Sequence, residues 1–309
     1  MNLRVYYCDH LEIPLPEGHK FPLRKYRLLR EELERAGGFE LRRSEAASLE
    51  VIERAHDPAY VRAFVDGTLS AQAQRRIGFP WSEGLVARTL ASTGGTLQAS
   101  REALVSGISG GLAGGTHHAF RGEGSGFCVF NDIAVATRAL QREGLVRRVA
   151  VVDLDVHQGD GTAAIFEGDA DVFTLSLHGA NNFPFRKQRS SLDVELADGV
   201  EDMEYLQRLE TALPAVWEFA PEMVFFQAGV DALRTDRLGR LALTHAGLQA
   251  RDAMVLEGVR ARGLPLVITL GGGYSEPIEA TVQAHANTFL AAREEVSRFR
   301  YTAGTPVPR

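Results

Sequence analysis

The run Val149-Ala-Val-Val-Asp-Leu-Asp-Val-His-Gln-Gly-Asp-Gly161 constrains this chain more than any other stretch. Its first half is apolar and rich in β-branched residues, the pattern of a strand buried on both faces. Its second half sets Asp153, Asp155 and His157 at alternate positions, and alternate side chains of a strand share a face. Gly159 and Gly161 then turn the chain tightly. Two carboxylates and an imidazole at the end of a buried strand are costly to desolvate without a partner. A cation is the simplest partner.

The rest of the chain repeats this strand in alternation with helical spacing. Leu3–Tyr7 reads as a first strand, followed by a Pro- and His-bearing loop over residues 10–22. Helical spacing over 24–36 stops at Gly37-Gly38, and Pro58 sits in the first turn of a helix within 51–64. Ser82 caps a helix from Glu83, and Gly94-Gly95 inside that region permits a close approach or marks a break. Residues 108–126 are glycine-rich, and 131–143 return to helical spacing. Beyond the central strand, strands over 172–178, 223–231 and 264–270 alternate with helices over 202–219 and 245–262, the last capped by Thr244. This order predicts an α/β protein, a single three-layer αβα domain over residues 1–309 with a mostly parallel central sheet. Residues from about 293 are expected to form a peripheral tail.

Composition narrows the function. A formal net charge of −6 gives no basic surface for nucleic acid or an anionic membrane. Cys8 and Cys128 are too few for a disulfide framework and favour a reducing compartment. No signal-like segment or bilayer-length apolar run is present, so a cytoplasmic location is expected. The oligomeric state has no signature in the pattern.

Ligands of open α/β sheets gather beyond the carboxyl ends of the strands, where Asp155 with His157, Asp231 and Tyr274 all fall. Two carboxylates and one imidazole leave a fourth position open, which suits catalytic zinc, and iron(II) accepts the same ligands. The pair His117-His118 lies in the glycine-rich stretch and supplies an acid and a base near neutrality. Asp153 and Asp160 are placed to orient an imidazole, and Tyr274 beside Gly271-Gly-Gly273 offers a hydroxyl to a developing oxyanion. Each feature alone has a plainer reading: Asp-x-His as a polar strand end, His-His as packing, Gly-Gly-Gly-Tyr as a turn, Asp231 as a cap. Phe127 and Cys128 read as core or as channel wall. His10, His19, His56, His178, His245 and His285 read as structural or loop residues. The features occur together at successive strand ends, and the plain readings do not explain that.

These residues resemble the histone deacetylases and their bacterial relatives of the arginase/deacetylase fold. The likeness is carried by Gly114-Gly-Thr-His-His-Ala119, Gly126-Phe-Cys-Val-Phe-Asn-Asp132, Asp153-Leu-Asp-Val-His-Gln-Gly-Asp-Gly161, Ala228-Gly-Val-Asp231 and Gly271-Gly-Gly-Tyr274 in that order. Leu15-Pro-Glu-Gly-His-Lys-Phe-Pro22 and His157-Gln158 look most like the class IV branch. The resemblance implies zinc on Asp155, His157 and Asp231, and a general base and acid at His118 oriented by Asp160. It implies an electrostatic partner at His117 paired with Asp153, and a carbonyl donor at Tyr274. Gly126, Phe127 and Gly272 would line the substrate channel, with a second aromatic wall at Phe183 or Phe185. It further implies a monovalent cation, K+ or Na+, held by Asp153, Asp155, His157, Ser176 and Leu177. The implied activity is a zinc-dependent deacylase acting on an acyl-lysine protein or a small acyl-amine. A catalytically silent acyl-amine binder has no need of His118 and Tyr274. A two-metal ureohydrolase wants a further carboxylate where Gly159 stands.

Overall fold

In the computed structural model, which describes residues 2–296, eight strands form one sheet with every neighbour parallel. They are β1 (Leu3–Tyr7), β2 (Phe39–Arg43), β3 (Ile108–Gly111), β4 (Val149–Asp153), β5 (Val172–Gly179), β6 (Leu192–Leu196), β7 (Met223–Gln227) and β8 (Leu266–Thr269), in the order β2-β1-β3-β8-β7-β4-β5-β6. The helices are α1 (Arg24–Ala36), α2 (Leu49–Ile52), α3 (Pro58–Val65), α4 (Ala71–Ile77), α5 (Glu83–Ser106), α6 (Asp132–Arg142), α7 (Asp160–Phe166), α8 (Asp202–Glu218), α9 (His245–Arg260) and α10 (Ile278–Val296).

Strand alternation divides the core into two layers. Ala150 and Val152 of β4, with Val224 and Phe226 of β7, pack against α1, α8, α9 and α10. Val149 and Val151, with Met223 and Phe225, pack against α5 and α6 on the other face. Burial on both faces is why the central strands read as continuous apolar runs. The expected three-layer α/β architecture is observed, and the sheet is wholly parallel.

The strands that sequence pattern leaves out are β3, whose Ile-Ser-Gly-Gly reads only as part of a glycine-rich stretch, and β2 and β6, the two edges of the sheet. The edge sequences, Phe-Glu-Leu-Arg-Arg of β2 and Leu-Asp-Val-Glu-Leu of β6, carry the charges that edge strands carry. Also unanticipated are α2, α4, α7 and α10. Gly94 and Gly95 do not break α5. A Cβ on either would collide with the chain at Ser44 to Ala47, so they serve close approach. The expected tail from 293 begins instead inside α10, where Arg293 donates to the carbonyls of Ala36 and Gly37 at the end of α1. The remainder of that tail lies outside the described residues. Among the described residues no helix is long and apolar enough to cross a membrane.

His56 fastens the layer beside the site. Its Nε2 accepts from the Asn131 N–H at 2.8 Å, which requires Nδ1 to carry the hydrogen facing Arg121 O at 3.2 Å. Asn131 in turn caps α6 and bonds Ala119 O and Thr162 Oγ1. Burial lowers the His56 pKa to about 4, against an unfolded value of about 6.5. The folded state thus favours neutral His56, whose stabilisation is complete above the unfolded value and is lost as pH falls from 6.5 towards 4. His178, also lowered to about 4 by burial, adds a similar slope. Denaturant titrations should lose up to ~3 kcal/mol per such histidine across that window. His118 and His285, also lowered mainly by burial, add slope of the same sign. His56→Gln should therefore remove only its own share, and an unchanged slope would show that His56 does not titrate there.

Candidate active site

His117, His118, Asp155, His157, Asp231 and Tyr274 lie beyond the carboxyl ends of β3, β4, β7 and β8, at one end of the sheet. β4 itself ends at Asp153, so Asp155 and His157 are not on the strand as the alternating pattern suggested. The ladder gives way to side-chain turns: the Asp155 N–H donates to Asp153 Oδ1 at 3.1 Å, and the His157 N–H donates to Asp155 Oδ1 at 3.0 Å. Asp153 consequently leaves the other two and bonds His117. The expected tight turn at Gly159 is the start of α7, with Asp160 as its first residue.

Asp155 and His157 meet Asp231 from the loop after β7. One donor atom from each lies within 4.8 Å of the others, and all three residues are buried. Each carboxylate is anchored to a backbone N–H of a neighbouring loop. Asp155 Oδ2 accepts the Gly272 N–H at 2.6 Å, and Asp231 Oδ1 accepts the Val156 N–H at 2.9 Å. The other oxygens, Asp155 Oδ1 and Asp231 Oδ2, face His157 Nδ1 at 3.0 and 3.1 Å. Burial, then the charge of Asp155, raises Asp231 to about 7. Burial opposes the charged form of His157, but its bonds to Asp155 and Asp231 prevail and raise it to about 10. The atoms that share protons here are those a divalent cation would take in their place, and His with two carboxylates is a donor set that zinc accepts. The residues fit the implied metal.

The two adjacent histidines are driven to opposite charge states. His117 Nδ1 lies 2.7 Å from Asp153 Oδ2, and His118 Nδ1 lies 2.6 Å from Asp160 Oδ1. Their rings are 4.1 Å apart. Burial works against a charge on His117, but Asp153 and Asp155 overcome it and raise its pKa to about 9. At His118 burial, helped by the His117 charge, lowers the pKa to about 4. With Nδ1–H directed at Asp160, neutral His118 presents Nε2 as a base. Its ring lies 5.9 Å from that of His157.

Tyr274 is set by Asp236, whose Oδ2 accepts the Tyr274 N–H at 2.6 Å. Burial drives its phenol pKa well upward, so the hydroxyl keeps its proton. Gly272 lies so close to Asp231 that a Cβ there would strike Asp231 Oδ2. Gly126 and Phe127 have φ values of 54° and 65°, and a Cβ at Gly126 would come within 2.8 Å of the His118 ring. The Phe183 ring stands 4.9 Å from the His118 ring, whereas Phe185 is 87% exposed. Phe183 is therefore the second aromatic beside the site. A cavity of about 550 Å³ joins Phe127, Phe183, His118, Asp155 and Tyr274. Ser176 pairs with Asp153 in the β4–β5 register, but its hydroxyl bonds His178 at 2.9 Å.

Several supporting residues escaped the sequence reading. Gln227 joins the Gly115 carbonyl at 2.8 Å to Thr269. Buried Arg251 donates from Nη1 to Gly229 O at 2.5 Å and Leu154 O at 3.4 Å, in the two loops that carry the carboxylates. Its guanidinium pairs with Asp252 at 2.7 Å, and Thr288 donates to Asp252 at 2.6 Å. A signal for this pair was present: Arg251 and Asp252 sit on the same buried face of α9 as Leu248, Val255 and Val259.

A parallel sheet with a His/Asp/Asp group and paired histidines at its strand ends defines an α/β protein with a candidate metal site. The histone deacetylase domain matches residues 19–290, and the chain belongs to that family. An uncharacterised protein of Picosynechococcus sp. is 47% identical over 294 residues, covering 94% of this chain and 98% of its own. The histone deacetylase-like amidohydrolase of Pseudomonas aeruginosa is 37% identical over 173 residues, 52% of this chain and 46% of its own. Histone deacetylase 2 of Arabidopsis thaliana is 36% identical over 185 residues, 59% of this chain and 48% of its own. The match thus spans about half the length of these two named relatives. The crystal structure of a histone deacetylase homologue from Aquifex aeolicus has a TM-score of 0.80 at 25% identity, covering 100% of this chain and 86% of its own.

The Arg251 network gives a stability prediction. Arg251→Met leaves Asp252 charged and buried, and denaturant unfolding should show a loss of about 3–5 kcal/mol. Adding Asp252→Asn should recover part of that loss. Strict additivity in the double-mutant cycle would show that the two side chains do not interact.

Proposed function

We propose that this chain is a zinc-dependent deacylase that hydrolyses the amide of acetyl-lysine or a related acyl-amine, on a protein or a small molecule, to carboxylate and free amine. The observation that carries this reading is the pair of histidines in opposite charge states, each with its own carboxylate, in one cavity with Asp155, His157 and Asp231. These three would hold the ion, and iron(II) would also fit them. When bound, zinc supplies a water of lowered pKa and a Lewis acid for the amide carbonyl.

The side chains supply the rest. His118, neutral and oriented by Asp160, takes a proton at Nε2 from the attacking water and returns it to the leaving amine. His117 keeps its proton through its contact with Asp153 and places positive charge beside the reacting centre. The protonated Tyr274 hydroxyl donates to the carbonyl oxygen as charge develops there. Phe127 and Phe183 enclose the alkyl stem of the amine, and Gly126 and Gly272 let it approach His118 and the metal ligands. A monovalent cation, K+ or Na+, at Asp153, Asp155, His157, Ser176 and Leu177 would steady the loop below. The ureohydrolase alternative loses support at Gly159, where a Cβ would collide with Asp153 Oδ2 and no further carboxylate fits.

Amine release from lysine peptides carrying acetyl to long-chain acyl groups tests the reading. Metal-stripped protein should be inactive, and zinc should restore turnover. His118→Ala should lower kcat by about 10²–10⁴ with the far-UV spectrum unchanged. Asp231→Asn should lose both bound metal and activity. Full activity in either variant, with metal measured, rules the mechanism out.

A further inference from the structure

The cavity continues inward past Tyr274 to Lys25, Tyr26, Arg88 and Thr93. Four Lys and Arg side chains line it. Arg76 is paired with Glu123 and Arg240 with Asp198. Lys25 and Arg88 are different: they are buried, 2% and 6% exposed, and among the described residues neither forms an ion pair. Lys25 Nζ donates to Gly271 O at 3.2 Å, and Arg88 Nη1 donates to Cys8 O and Leu11 O at 2.9 and 3.0 Å. Arg88 Nε and Nη2 have no protein acceptor among the described residues. The two cations flank one ring, with Lys25 Nζ 5.3 Å and Arg88 Cζ 4.7 Å from the centre of Tyr26. Lys25 Nζ is also 5.5 Å from the centre of the Tyr274 ring, so the pair begins directly behind the proposed carbonyl donor.

The carboxylates that line the cavity are Asp155 and Asp231, whose charge a divalent ion at the proposed site would take up. Asp236 is also close enough to Lys25 to act on its charge. Its oxygens are already bonded by the N–H groups of Leu238, Gly239 and Tyr274. With the metal in place, the Arg88 guanidinium therefore faces the cavity without a counter-ion, a costly arrangement unless the ligand brings the negative charge. Lys25, which burial pushes down to about 8, adds an ammonium donor beside it that an anion would keep charged.

We infer that the inner end of the cavity is a carboxylate subsite, and that the acyl group removed here carries a terminal carboxylate, as succinyl and glutaryl groups do. The inference rests on the deacylase reading above. In the reaction the oxygen of water joins the acyl carbon, the C–N bond breaks, the amine leaves with a proton and a dicarboxylate is released. An alkyl acyl chain of the same length would lay methylenes against Lys25 and Arg88 and leave both uncompensated.

The test compares kcat/KM of the zinc-loaded full chain on glutaryl- and succinyl-lysine peptides with that on pentanoyl- and butyryl-lysine peptides of the same sequence. The acidic acyl groups should be preferred by about tenfold or more, as a charge-assisted hydrogen bond gives. Arg88→Gln should bring the ratio near one, and Arg88→Lys should retain part of it. Because Arg88 also holds the chain at Cys8 and Leu11, a second measurement uses the unmodified protein: free glutarate should compete with a pentanoyl peptide more strongly than pentanoate does. Equal or better turnover of the neutral acyl groups overturns the inference and leaves the deacylase reading standing. Acetate and pentanoate inhibiting as strongly as glutarate, with no acidic preference, would assign the subsite to released product and also overturn it. If neither acyl-lysine peptides nor small acyl-amines are cleaved, the deacylase reading fails by itself. The subsite is then judged by calorimetry, where equal affinity for glutarate and pentanoate refutes it.

Discussion

The site depends on two carboxylates tied to backbone N–H groups of neighbouring loops. Asp155 gives Oδ2 to the Gly272 N–H, and Asp231 gives Oδ1 to the Val156 N–H. Those two bonds cross-link the loops after β4, β7 and β8, and they leave Asp155 Oδ1 and Asp231 Oδ2 turned toward His157. Fixing a ligand through its second oxygen removes the rotation it would otherwise lose when a metal binds, the role that outer hydrogen bonds play at metal sites. The glycines follow from the same geometry. A side chain at Gly272 would occupy the space of Asp231, and one at Gly229 would meet Asp155. Arg251 sits behind the assembly, and its hold on Gly229 O and Leu154 O keeps the loops in register.

What could be read in the sequence was whatever two-sided burial writes plainly. Strands β4, β5, β7 and β8 read as apolar runs and α1, α6 and α8 as apolar stripes, while α5 and α9 were marked by their caps, Ser82 and Thr244. β3, only Ile-Ser-Gly-Gly, is buried but has too few side chains to write a pattern. The edge strands β2 and β6 show no such run, because half of each is solvated and the charges that keep an edge from pairing also erase the pattern. α10 follows a glycine-rich loop and carries Thr281, His285 and Thr288 on its buried face, so its stripe is too polar to stand out. The metal group, the histidines and Tyr274 were legible as types at strand ends. Their convergence was anticipated for a partly mistaken reason: strand alternation would have put Asp153 with Asp155 and His157. The side-chain turns at Asp153 and Asp155 instead send Asp153 to His117. The choice of Phe183 over Phe185 depended on how the loop after β5 folds, which no periodicity records.

The charges around the site form successive layers. Asp153 with His117 and Asp160 with His118 are adjacent pairs, and they differ because burial, helped by the His117 charge, lowers His118, while Asp153 and Asp155 together raise His117. Asp155 and Asp231 are the unmatched acids, with His157 between them. Arg251 and Asp252 close off the layer below. A buried arrangement of this kind does not stabilise the fold by itself, since each charge taken from water carries a penalty that its partner only offsets. Stability must come from the two apolar layers on either side of the sheet, and the site occupies the strand ends where those layers stop. This division explains why the polar residues crowd at one edge of an otherwise apolar sheet. Backbone carbonyls and N–H groups there have no ladder partner, so they are free to hold carboxylates and guanidinium groups in place.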